Sequence, residues 1–66
     1  MGEKEILLVL AQKVKEQRIK NGVTQEQFYN DTGIHIARIE QGKRNLSFTT
    51  LIRIADYFDC SLDYFR

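Results

Sequence analysis

Residues 24–42 read TQEQFYNDTGIHIARIEQG, and the folding of this stretch decides the rest of the chain. Thr24 followed by Gln25, Glu26 and Gln27 is an N-cap with Gln at N3, the reciprocal capping box that opens a helix. Gly33 breaks that helix, because glycine enters the left-handed backbone region without a Cβ penalty. Beyond it, Ile36, Ile39 and Glu40 recur at i, i+3 and i+4, so a second short helix turns one face inward. His35 and Arg38, three residues apart, lie on its other face, which nothing in the pattern buries. Two short helices folded about a glycine turn make a helix-turn-helix unit.

Upstream, residues 3 to about 21 carry a helical pattern, with Leu7, Leu10, Ala11, Val14 and Arg18 on one stripe and Gly22 as the stop. Ile6, Leu7, Leu8, Val9 and Leu10 are apolar in succession, which wraps the helix start and calls for cover from the C-terminus or from another subunit. Downstream, GKRNLS is a polar basic loop, and Ser47 caps a helix with Thr50 at N3. Phe48, Leu51, Ile54, Ala55 and Phe58 form its apolar stripe. Asp59 and Cys60 link to Ser61, a further cap, and Leu62, Tyr64 and Phe65 give a last turn of helix over the core. Proline is absent and no strand-like alternation occurs, so the expected fold is all-α: a five-helix bundle in one domain spanning residues 1–66, with the helix-turn-helix at 24–42.

With 66 residues the chain supports a single core of modest stability. A hydrophobic content of 42% with 29% charged residues suits a globular domain and is too apolar for a disordered one. Cys60 is the one cysteine and can form no intrachain disulfide, which fits a reducing cytosol; it is expected as a small apolar side chain packed inside. The longest apolar run, Ile6 to Ala11, is far below the roughly 20 residues that cross a bilayer. Its flanks lack the marks of a signal peptide, so a cytoplasmic location and no membrane partner are expected. The net charge of +1 argues against a nucleic-acid partner, but the charge is uneven. Residues 1–45 hold eight Lys and Arg against six Asp and Glu, and residues 46–66 hold two against three.

Arg18 and Glu40 each place a charge on the inward face of a helix, where an unpaired ion is too costly to keep, so the two are expected to pair. A single inward carboxylate with no second acid or metal ligand beside it reads as structural, and His35 has no second ligand at i+3 or i+4. No nucleophile with its base, metal cluster or Gly-rich phosphate loop is found. An enzyme, a cofactor and a small-molecule substrate are therefore not expected.

Arg18, Gly22, Val23, Thr24 and Gln25, then Arg38, Ile39, Glu40, Gly42, Lys43, Arg44, Asn45, Ser47, Thr50, Leu51, Ile54, Ala55, Ser61 and Leu62 resemble the Xre family, the Cro and phage-repressor-like (lambda repressor-like) helix-turn-helix domains. The resemblance covers about residues 8 to 66, through RxxxGxTQ, RIExGKRN and TLxxIA. It implies a five-helix bundle that binds operator DNA, often as a homodimer, with the third helix in the major groove and the Arg18–Glu40 match as an internal ion pair. One departure stands out. Family members carry about three more residues between the turn and the match to Ile36, so either the second helix or the third is shorter here by nearly a turn.

On this reading Gln25, at N1 of the second helix, and Lys43, Arg44 and Asn45, in the loop after the third, are expected on DNA phosphates. Arg38 is the expected base reader, since a guanidinium can bond guanine O6 and N7 together, with His35 and Ile34 nearer the helix start. Double-stranded DNA and a second copy of the chain are the implied partners. A function of another class is a protein-interaction or antitoxin-like module with a toxin-like partner, in which base reading went with the missing turn and the run Ile6 to Leu10 meets the partner.

Overall fold

The first helix, α1 (Glu3–Lys20), opens a chain whose residues 2–66 are described by a computed structural model. Glu3 and Glu5 near its start and Arg18 and Lys20 near its end complement the helix dipole. Its buried line is Ala11, Val14 and Gln17, and it stops at Asn21 with Gly22 at φ 68°. Three further α-helices follow, α2 (Gln25–Thr32), α3 (Ile36–Glu40) and α4 (Phe48–Phe58). The expected fifth helix is a 3₁₀ turn, Leu62–Phe65, closed by i to i+3 bonds from Tyr64 N–H to the Ser61 carbonyl (3.1 Å) and from Arg66 N–H to that of Asp63 (3.2 Å). No strand occurs among the described residues, and no helix there is long and apolar enough to cross a membrane.

The caps sit where the residue types place them. Thr24 Oγ1 accepts the Gln27 N–H at 3.0 Å, and Ser47 Oγ accepts that of Thr50 at 3.1 Å. The Gln27 side chain makes no return bond, so only half of the reciprocal box forms. Gly33 at φ 75° closes α2.

Val14, Phe28, Ile36 and Ile54 are fully buried, one from each α-helix, and Ile39, Ala55, Phe58 and Phe65 complete the centre around them. Phe28 stacks on Phe58 at 5.4 Å and meets Tyr57 edge-on at 4.7 Å, which locks α2 to α4. At the rim the Tyr57 hydroxyl donates to Asp31 at 2.6 Å, a bond that holds the phenol proton above its ordinary range. Tyr64 donates to Glu16 at 3.2 Å while Lys13 sits over its ring, fastening the 3₁₀ turn to α1. Cys60 is half-buried against the core, and partial desolvation raises its thiol pKa, as an inert packing role requires.

Two apolar expectations change. Phe48, assigned to the stripe of α4, is 67% exposed, because the first residue of that helix lies beyond the edge of the core. Ile6 and Leu8 stay half exposed, and the C-terminal turn does not cover them. Leu8 does pack on the turn after α3: a Cβ placed on Gly42 would lie 2.8 Å from Leu8 Cδ2, so glycine there admits α1 as well as supplying φ 72°. Gln17, outside the expected stripe, is buried and accepts from Asn21 Nδ2 at 3.1 Å.

Asp59 closes α4 in the left-handed region, at φ 53° and ψ 48°, and is the one non-glycine with positive φ among the described residues. Glycine carries no Cβ strain there. Asp59→Gly is therefore expected to stabilise the protein by about 0.5 to 1 kcal/mol, raising the thermal midpoint by about 2 to 8 °C. A calorimetric scan checks it, and an unchanged or lower midpoint contradicts the strain account.

Candidate nucleic-acid interface

Arg18 and Glu40 build the interface from beneath. Arg18 Nε donates to Glu40 Oε2 at 2.7 Å and Nη2 to Oε1 at 3.0 Å, the two-pronged geometry that a guanidinium and a carboxylate form best. The third prong, Nη1, donates to the Val23 carbonyl at 3.0 Å in the link between α1 and α2. Gln25 Nε2 then donates to Glu40 Oε1 at 3.2 Å. One ion pair thus joins α1, the approach to α2, the first residue of α2 and the last of α3. Its side chains are 13% and 5% exposed, and the hydrogen bonds that Arg18 donates to Glu40 outweigh burial in raising the arginine's affinity for its proton.

Of the two helices of the unit, α3 is the short one. The second helix keeps eight residues from Thr24 to the Gly33 stop, whereas α3 has five, about 7.5 Å of rise. The connection is tight. Ile34 N–H donates to Thr32 Oγ1 at 3.1 Å, and Ile36 N–H donates to the Ile34 carbonyl at 2.9 Å across His35, whose φ of −79° and ψ of 75° make an inverse γ-turn.

This geometry corrects one expected site residue. Ile34 is only 9% exposed and belongs to the core, because the left-handed Gly33 reverses the chain and sends the next side chain inward. It forms the floor of the neighbouring groove, and its side chain is not available to a base edge. The other expected residues are at the surface. His35 and Arg38 are exposed, as are Gln25, Lys43, Arg44 and Asn45. Gln25 spends one amide hydrogen on Glu40 and has a second to donate.

A shallow groove lies on each side of α3. One is lined by His35, Arg44, Asn45, Ser47, Thr50 and Arg53 over Ile34 and Ile39. The other is lined by Lys15, Thr24, Gln25, Ala37, Glu40 and Gln41. With Ile36 and Ile39 buried, the helical period turns Ala37, Arg38 and Gln41 outward on the ridge between the two.

Three of these residues escaped the sequence reading. Lys15 lies three before Arg18 and Gln41 three after Arg38, so helical spacing from residues already singled out would have found them. Arg53 carries no such signal. Its Nη2 donates to the Thr32 carbonyl at 2.6 Å, closing the end of α2.

A compact helical scaffold with a helix-turn-helix ridge between two polar grooves, bordered by cations, defines a nucleic-acid-binding class. A helix-turn-helix family model matches residues 14–65. The chain belongs to this family, that of the Xre and lambda-repressor-like domains, and is a DNA-binding helix-turn-helix regulator. Neither a curated protein nor a solved structure gives a match.

Arg18→Ala or Glu40→Ala is expected to cost roughly 3 to 5 kcal/mol, since either change strands a buried charge. Removing both should cost less than the sum of the two. A double-mutant cycle in chemical denaturation measures the difference, and strict additivity contradicts the pairing.

Proposed function

We propose that the protein is a sequence-specific double-stranded DNA-binding regulator of the Xre type that acts as a homodimer. Gln25, Lys43, Arg44 and Asn45 fix each subunit on phosphates, while Arg38 and His35 read base edges in the major groove. The observation that carries this reading is the exposed ridge of α3 between two polar grooves, with His35 and Arg44 lining the same one. Lys15 and Arg53 extend the cationic border on opposite sides.

The shortness of α3 sets the mechanism. Its outward positions are few, so each subunit reads few base pairs, and a net charge of +1 gives one copy little general affinity. Two copies on a near-palindrome supply what one lacks. The molecule measures 32 × 21 × 21 Å, which suits neighbours spaced one turn of duplex, about 34 Å, apart.

The second reading, a protein-interaction or antitoxin-like module, draws on the exposed Ile6 and Leu8 of α1 and on the same short α3. In it the bundle persists, base discrimination is weak, and a toxin-like partner covers α1. DNA titrations separate the two. The regulator is expected to select a near-palindrome from a randomised duplex pool, bind it as two copies, and show a log–log salt slope of about −7 for about eight neutralised phosphates.

Arg44→Ala should lower affinity on every sequence and flatten the slope by about one unit per subunit. Arg38→Ala should cost about 1 to 3 kcal/mol, lost mainly as discrimination at one base pair. A salt slope without selection contradicts sequence reading, and absence of both leaves the interaction module.

A further inference from the structure

α3 lacks the turn that would hold a reading side chain at its N-terminal end. His35 lies just outside the helix, in the inverse γ-turn, and its imidazole caps nothing. What holds it is Tyr29, one helical turn after Gln25 on α2. The phenol and imidazole ring centroids lie 4.5 Å apart at an interplanar angle of 33°, and Tyr29 is itself 44% exposed, so the tilted pair stands at the surface. His35 also lines the groove with Arg44 and Asn45.

We infer that Tyr29 is a positioning residue for base recognition, and that the Tyr29–His35 pair stands in for the missing first turn of the recognition helix. The inference rests on the DNA-binding reading proposed above and adds to it the part that fixes the imidazole. An exposed histidine without a helical turn around it samples several rotamers and must surrender them on docking, which weakens every contact it makes. The tyrosine face removes that loss in advance. The two ring nitrogens then present a donor and an acceptor at a set height beside the groove, and the apolar edge of the pair suits a thymine methyl. Among the described residues the Tyr29 hydroxyl makes no side-chain hydrogen bond, and it is not needed for the ring contact.

The test compares wild type, Tyr29→Ala, Tyr29→Phe and His35→Ala on the duplex that the wild type selects from a randomised pool and on its single-base variants. Tyr29→Ala is expected to lose about three- to ten-fold in discrimination at one base pair per half-site, the same pair whose preference His35→Ala abolishes. Its salt slope should be unchanged, because no phosphate contact is removed, and Tyr29→Phe should retain wild-type discrimination. In the free protein, the His35 ring protons should resonate upfield under the tyrosine ring current and move to unshifted values in Tyr29→Ala, with the fold intact by amide spectra.

If the wild type selects a sequence and Tyr29→Ala discriminates as well, the inference is overturned and the regulator reading stands. Loss of discrimination in Tyr29→Phe overturns the role of the ring contact. A wild type that selects no sequence overturns the regulator reading, and the inference falls with it.

Discussion

The two-pronged bond between Arg18 and Glu40 is the constraint on which the arrangement depends. Five residues of helix cannot hold a recognition element by their own hydrogen bonds, since a helix that short does not persist alone. α3 is held instead from both ends. Ile36 and Ile39 anchor one side in the core, and Glu40 reaches under α2 to Arg18 while accepting Gln25 as well. The arginine's remaining nitrogen on the Val23 carbonyl fixes where α2 begins. A paired charge is no better for stability than apolar packing of the same volume, but it is directional, and direction sets the angle between two short helices.

Much of the scaffold could be read from residue types because it follows local rules. Thr24 and Ser47 cap, Gly33 turns, and the stripe of α4 shows its period with little interruption. What misled was position at an edge. Phe48 fits the period of α4 yet lies past the end of the core, and the last helical segment tightens to 3₁₀ within four residues. Periodicity reports direction around a helix and says nothing of how far along it the neighbouring element extends.

Placement was legible where it follows from helical phase, as for the exposed Arg38 and Gln25 and for the ion pair. It failed at Ile34, where the backbone leaves helical phase at Gly33 and a left-handed step followed by a γ-turn reassigns inside and outside. Arg53 could not be found from spacing, since its bond to the Thr32 carbonyl depends on α4 crossing the end of α2. The same departure from helical phase put His35 outside α3 and against Tyr29, a contact between residues six apart that no regular element predicts.

The central claim is that the outer ridge of α3 and its bordering residues are the surface that meets duplex DNA. Amide chemical-shift mapping of the labelled protein with a selected duplex tests it most directly. The account predicts perturbations concentrated at Gln25, His35 to Gln41 and Lys43 to Asn45, with the amides of Ile6 to Val9 little changed. Perturbations confined to α1 and the C-terminal turn, with Arg38 and Arg44 unmoved, would contradict it.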